Sequence, residues 1–223
     1  MLDKGVKMSI NKSYAVFGLG RYGRAVAKEL ADSGAEVIAV DCNDKIVEDL
    51  VGSLPICKCA DITDSEVIRH LGISNVDTVI IAIAGKFEAS VMATMLCKEA
   101  GVKQLIVKCS SDMHRDILKK VGADIVVFPE KESGIRLAKN LLSSGFVDIV
   151  DISDNISIIE LAARPEWVGK NLQELELRKK HSINVIALNK DKKITISVKP
   201  DTVIEEDMKL IVIADKKQIS KLK

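Results

Sequence analysis

The segment Tyr14-Ala-Val-Phe-Gly18-Leu19-Gly20-Arg21-Tyr22-Gly23-Arg24 constrains the fold more than any other part of the chain. An apolar run that reads as a strand leads directly into Gly-x-Gly-x-x-Gly, and a helical pattern from Ala25 to Leu30 follows at once. Gly18 permits a tight turn out of the strand, Gly20 lets a pyrophosphate approach the backbone, and Gly23 lets the helix lie close against a sheet. The first amides of that helix have no internal partner and point at an anion. A second strand, Glu36 to Val40, ends in Asp41, at the spacing where a carboxylate meets a ribose diol. Together these features predict a nucleotide or dinucleotide site; the alternative is a glycine-rich turn that binds nothing.

Aromatic residues make up only 3% of the chain against 47% apolar, so Val, Ile, Leu and Ala must build the core. That favours parallel strands buried on both faces. A net charge of +1 gives no global field for nucleic acid or anionic lipid. The first twelve residues lack the apolar core of a signal peptide, and the longest apolar run, Val79 to Ala84, is too short to span a bilayer. The expectation is a soluble, cytoplasmic protein. The cysteines (Cys42, Cys57, Cys59, Cys97 and Cys109) are odd in number and follow no disulfide framework, so reduced thiols are expected. Cys57 and Cys59 read as buried small hydrophobes on one strand face rather than as metal ligands.

From Tyr14 to Phe128 strand and helix patterns alternate. Helices are expected over 45–51, from a cap at Asp64 or Ser65 to Leu71, over 87–100 and over 112–121. Strands are expected over 56–60, 78–83, 105–107 and 125–128. Single helices between strands imply right-handed crossovers and one parallel sheet, a Rossmann-like doubly wound α/β domain. Beyond Pro129 the pattern changes. A helix over 131–144, stopped by Gly145, precedes short strands at 146–152, 156–162, 183–188, 194–198 and 210–214, with one helix over 172–180 and a polar hairpin turn at 189–193. The expected division is an N-terminal tail (1–13), the nucleotide domain (14–130), a linking helix (131–145) and a second, smaller α+β domain (146–223).

Open α/β sheets bind ligands at the carboxyl ends of their strands. Here those ends carry the Gly18–Gly23 loop, Asp41-Cys42-Asn43, Ala60-Asp61-Ile62, Ile83-Ala84-Gly85, Lys108-Cys109-Ser110 and Phe128-Pro129-Glu130. Asp41 would repel a 2′-phosphate, favouring NAD or an adenosine nucleotide over NADP. Asn43 is a ribose partner or a helix N-cap, and Asp61 is an acceptor for an adenine amino group or a turn residue. Arg21 and Lys108 are phosphate ligands or solvated cations. Glu130 could hold Mg²⁺ against phosphates, or be a carboxylate favoured by a helix N-terminus. His70, His114 and His181 have no carboxylate at revealing spacing, and some eighty residues after the nucleotide domain are too few for most substrate domains. A sensor that leaves its nucleotide unchanged is expected, rather than a small NAD-dependent oxidoreductase or an NAD(H)-sensing transcriptional regulator.

The glycine loop with Asp41-Cys42-Asn43, together with Val121-Gly-Ala-Asp124 before Pro129-Glu130-Lys131 and the small C-terminal region, resembles a known family. It is similar to the cytosolic RCK (regulator of K⁺ conductance) subunits of bacterial Ktr/Trk potassium-uptake systems, closest to the Ktr type. The resemblance implies binding of ATP, ADP or NAD(H), a homodimer assembling into an octameric ring, and a membrane K⁺ channel subunit as partner. It implies a cytoplasmic place at the inner face of the membrane, where nucleotide exchange reshapes the ring and so gates the channel. Carried over, Arg21 would touch the terminal phosphate, and Asp41 and Asn43 the ribose. Asp61, Ile62 and Ile83 to Gly85 would surround adenine and sugar, Lys108 to Ser110 and His114 the phosphates, and Glu130 a cation at the dimer interface. The second domain would take cyclic di-AMP, with Arg178, Asn184 and Val185 as the positions to try. Cys42 and Cys109 depart from the family's aliphatic and Ala-like residues, which leaves redox sensitivity open.

Overall fold

The computed structural model describes residues 12–83, 85–142, 146–153, 155–191 and 193–219, and the chain divides into two compact units at Glu130–Lys131. The first unit alternates β1 (Ser13–Phe17), α1 (Arg21–Asp32), β2 (Glu36–Asp41), α2 (Asp44–Glu48), β3 (Ile56–Cys59), α3 (Ser65–His70), β4 (Thr78–Ile81), α4 (Phe87–Glu99), β5 (Gln104–Lys108), α5 (Asp112–Val121) and β6 (Ile125–Val127). All strand pairs are parallel, in the order β3-β2-β1-β4-β5-β6. The doubly wound sheet expected from the alternating pattern is therefore present.

The two-residue period of the strands sorts its side chains into two cores. Ala15 and Phe17 of β1 and Val79 and Ile81 of β4 face α3, α4 and α5, where Ile68, Ala93, Cys97 and Leu118 meet them. Val16, Ile80, Val37 and Ala39 face the other way, toward Leu19 of the glycine loop, Ala27 of α1 and Leu50. Chain order jumps between β1 and β4, and the cleft that this reversal leaves lies at their carboxyl ends.

Several expectations are corrected. β3 is an edge strand, so Cys59 is exposed and Cys57 half-buried rather than buried. β4 ends at Ile81, and α2 ends at Glu48. Helix α6 (Pro129–Leu142) begins at the proline, whose missing N–H and fixed φ suit a first helical position. Its expected end at Ser144 and Gly145 lies outside the described residues.

The second unit holds β7 (Phe146–Asp151), β8 (Ile156–Ala162), α7 (Leu172–Leu175), α8 (Leu177–His181), β9 (Ile183–Lys190), β10 (Lys193–Thr195), β11 (Lys209–Asp215) and α9 (Lys216–Ile219). Its antiparallel sheet runs β10-β9-β11-β8-β7, over a core that includes Ile159, Leu161, Trp167, Leu210 and Val212. The single helix expected over 172–180 is broken at Glu176, which takes φ 46°. The reason lies in Leu175 and Leu177, both buried in one core. Residues two apart fall on opposite sides of a continuous helix, so a left-handed residue between them turns both inward. Likewise β9 and β10 pair out to Lys190↔Lys193, so strand pairing enters the turn expected at 189–193; Asp191, at φ 49°, is a residue type that tolerates this conformation. The strand expected over 194–198 is the shorter β10.

Candidate functional site

The glycine loop leaves β1 by a turn in which Gly18, at φ 87°, donates its amide to Val40 O at 2.8 Å. A Cβ on Gly18 would meet Ile83 Cγ1 at 2.7 Å, and one on Gly23 would meet Gly18 O at 1.9 Å. A Cβ on Gly20 would meet nothing within 4 Å. Two of the three glycines are thus demanded by the protein itself, and the third faces open space. Gly20 is also the N-cap of α1, whose first turn has no side-chain cap and no acidic residue. That turn offers backbone donors and a positive dipole end to an anion.

Asp41 is already tied to this loop. Its Oδ2 accepts from the Leu19 amide at 2.6 Å and its Oδ1 from the Asn43 amide at 2.9 Å. Leu19 therefore contributes its backbone, while its side chain is fully buried in the core. Asn43 caps α2, its Oδ1 accepting from Lys45 N at 3.1 Å. Asp61 Oδ1 accepts from both the amide (2.9 Å) and the hydroxyl (2.7 Å) of Thr63. These bonds, led by the backbone one and aided by the charge of Lys86, hold the Asp61 carboxyl below its usual range. Both bland readings, a cap for Asn43 and a turn for Asp61, describe this structure.

Between these groups lies a cleft of about 490 Å³. Of the expected residues, Gly18, Gly20, Asp41, Cys42, Asp61, Ile62, Ile83 and Gly85 line it; Ala84 lies outside the described residues. Ala60, just past β3, lines it too, whereas Val40, Ile46, Thr63, Ala82, Lys86 and Ala89 were not expected. Lys86 and Ala89 bring the N-terminal end of α4 to the cleft.

A second group sits outside the lining. Lys108 Nζ, on a side chain only 11% exposed, lies 2.6 Å from Glu130 Oε1 and 5.5 Å from the centroid of the Tyr22 ring. The Lys108 hydrogen bond is the chief reason that the Glu130 carboxyl is held below its usual range, and the nearby charge of Arg21 adds to it. His114 stacks on Phe87 with ring centroids 3.7 Å apart, and its Nδ1 lies 3.1 Å from Ser110 Oγ. Cys109 is buried and donates its amide to Val127 O at 2.9 Å. For Mg²⁺, Glu130 supplies a single carboxylate already engaged by Lys108. Among the described residues no three His, Cys, Asp or Glu side chains are grouped to hold a metal.

In the second unit, Arg178, Asn184 and Val185 do share a cleft, of about 500 Å³, with Lys179, Lys199 and Leu177 among its other walls. Among the described residues no helix is long and apolar enough to cross a membrane.

Comparison with known proteins fits this geometry. The TrkA-N domain family matches residues 14–129 and the TrkA-C domain family residues 156–223. The chain is 35% identical over 212 residues to Ktr system potassium uptake protein C of Bacillus subtilis (strain 168), covering 95% of this chain and 96% of that one. It is 34% identical over 214 residues to Ktr system potassium uptake protein A of Vibrio alginolyticus, covering 96% and 97%. The crystal structure of the GsuK RCK domain superposes with a TM-score of 0.68 at 19% identity, over 95% of this chain and 46% of that one. A GsuK channel bound to NAD gives 0.68 at 19% identity, over 95% and 38%. The chain thus spans less than half of those channel chains, and at this identity the likeness speaks for the fold. Family matches to both units and identity over almost its whole length place the chain in the family of Ktr/Trk potassium-uptake proteins that join a TrkA-N to a TrkA-C domain.

Proposed function

We propose that this chain is a nucleotide-sensing regulatory subunit of a potassium-uptake system, not an enzyme, and that it acts at the inner face of the membrane through a K⁺ channel subunit. The observation that carries this reading is the α1 N-terminus, uncapped by any side chain, beside a glycine whose open side faces solvent, with Asp41 poised at the end of β2. A diphosphate suits the first element and a ribose diol the second. ATP, ADP and NAD(H) all carry both groups, and the NAD-bound GsuK channel of the same fold supports the class.

Regulation requires differential binding, since a ligand with equal affinity for two shapes moves neither. Arg21, at the first position of α1, would read the terminal phosphate. Asn43, Lys108, Ser110 and His114 would complete the ribose and phosphate contacts after small side-chain shifts. Glu130 could share a divalent cation only with oxygens supplied by the phosphates or by a second copy. The proposed assembly is a homodimer built into an octameric ring that pulls on the channel. The cleft of the second unit, with Arg178, Lys179 and Lys199 beside Asn184 and Val185, offers cations and an apolar wall to cyclic di-AMP.

Native mass spectrometry of the purified chain, followed by calorimetry with ATP, ADP, NAD, NADH and cyclic di-AMP, tests the reading. Multimers that bind adenine nucleotides are expected, and Arg21→Ala should weaken ATP more than ADP. A protein with no affinity for any adenylate would end the nucleotide reading. Turnover of a nicotinamide cofactor with a panel of hydroxy acids and aldehydes would end the non-enzymatic one.

A further inference from the structure

We propose that Cys42 and Cys59 are a redox-modifiable thiol pair, closing into a disulfide across the ends of β2 and β3, and that closure competes with a nucleotide in the adjoining cleft. The modification site stands on geometry; its effect on a ligand rests on the nucleotide reading above. In the parallel pairing of β2 with β3, Asp41 lies opposite Cys59, and the Ala60 amide donates to Asp41 O at 3.0 Å. The peptide that leads into Cys42 is thus held against the end of β3. With strands about 4.8 Å apart and a rise of about 3.4 Å per residue, Cα atoms one register step out of line stand about 6 Å apart, inside the range that a disulfide accepts. The chain bends at Cys42, which frees its side chain from the alternation of the strand, and both thiols are exposed. Cys57 is the wrong partner for Cys59. Side chains two residues apart along one strand leave it about 6.6 Å apart, whereas bridged Cβ atoms need about 4 Å.

Cys42 lines the cleft, next to Asp41. Desolvation first, then the charges at Asp44, Cys42 and Asp41, push the Cys59 thiol up, so Cys42 attacks and Cys59 resolves. The oxidant is a small disulfide, such as oxidised glutathione. The Cys42 thiolate attacks it and displaces one small thiolate; the Cys59 thiolate then attacks Cys42 Sγ and displaces the second. One S–S bond is lost from the oxidant and one is gained by the protein. Two electrons pass to the oxidant, whose two thiolates take up the two protons that the cysteines release. Closure draws the bend at Cys42 toward β3. That bend joins Asp41, whose Oδ1 accepts from the Asn43 amide, to the cap of α2. A nucleotide whose ribose is held at Asp41 fixes the same bend, so ligand and bridge oppose one another by a common factor.

To test this, the full chain is equilibrated with oxidised or reduced glutathione, free thiols are blocked, and the cysteines are mapped by mass spectrometry. Oxidation should join Cys42 to Cys59 within one chain. Cys57→Ser should form the same bridge, and Cys59→Ser should stop at a glutathione adduct on Cys42. A parent that also stops at that adduct, a bridge that contains Cys57, or a bridge between two chains would overturn the pair. Calorimetry then reads adenosine and ATP on both forms of the parent. The bridged chain should bind each about fivefold more weakly or worse, and dithiothreitol should restore the reduced value. Equal affinity in the two forms would overturn the coupling. If the reduced chain bound no adenylate, the nucleotide reading and the coupling would fall together, while the mapped bridge would stand.

Discussion

Gly23→Ala and Gly20→Ala differ by three positions in one loop and should act through opposite routes. At Gly23 the new methyl would sit 1.9 Å from Gly18 O and 2.9 Å from Ala82 Cβ. The obstructing atom is backbone, so the turn must move. Overpacking of that kind costs about 2–3 kcal/mol, and the better helix propensity of Ala returns at most about 1 kcal/mol. A net loss of about 1–2 kcal/mol lowers the melting temperature of a unit this size by roughly 4–8 °C. Nucleotide affinity should fall with it, because Gly18 O lies next to the Leu19 amide that Asp41 holds. Gly20 has φ −64° and ψ −173°, open to any residue, and nothing within 4 Å of a Cβ. Its substitution should leave stability within about 0.5 kcal/mol. The methyl would nonetheless stand where a phosphate must approach, and ATP affinity should drop at least about tenfold. Circular-dichroism melts paired with calorimetry read both quantities. A Gly20→Ala protein that binds ATP normally would show that phosphate does not pass there. A Gly23→Ala protein that melts with the parent would show that the close approach is not what the glycine serves.

Asp41→Asn should cost about 1–3 kcal/mol through its two backbone donors, and should weaken adenosine as well as ATP, as calorimetry would reveal. Asp77 accepts from Lys103 Nζ and the Ser13 amide, which together hold its carboxyl at about 2 against an ordinary 3.8. A depressed carboxyl stabilises the fold above its unfolded value and loses that contribution as pH falls toward the folded one. The melting temperature should therefore fall between pH 3.8 and about 2 less steeply in Asp77→Asn than in the parent, and salt should shrink the difference. Thiol titration should find Cys42 fast, Cys59 and Cys57 slower because desolvation first and nearby carboxylates second push both thiols up, and Cys97 and Cys109 silent until unfolding, since both are buried and burial pushes Cys97 up to about 12.

Where the pattern was local, reading it worked. The alternation of strands and helices from Tyr14 to Phe128, the roles of Gly18 and Gly23 and the family resemblance all follow from spacing along the chain. Strand periodicity has period two, helix periodicity 3.6, and a glycine turn is a backbone constraint; none needs knowledge of distant neighbours. The lining residues Lys86 and Thr63 were within reach, each one position beyond an expected site residue, Gly85 and Ile62. Cys57 and Cys59 were misjudged because edge and central strands share one pattern. The break at Glu176 was hidden because Leu-x-Glu-Leu-Glu-Leu fits a helix until both Leu175 and Leu177 are asked to enter one core.

Residue types and their order were enough to specify a parallel sheet, a glycine turn out of its first strand and a carboxylate at the end of the second. Which partner each polar group takes was settled by three-dimensional packing. Asp41 reaches back 22 positions to Leu19, and Lys108 forward 22 positions to Glu130. Such pairings depend on which strands become neighbours and on how the sheet orders its edges. Those are properties of the assembled layers, and hydrogen bonds form between the groups the layers bring together, whatever separates them in sequence.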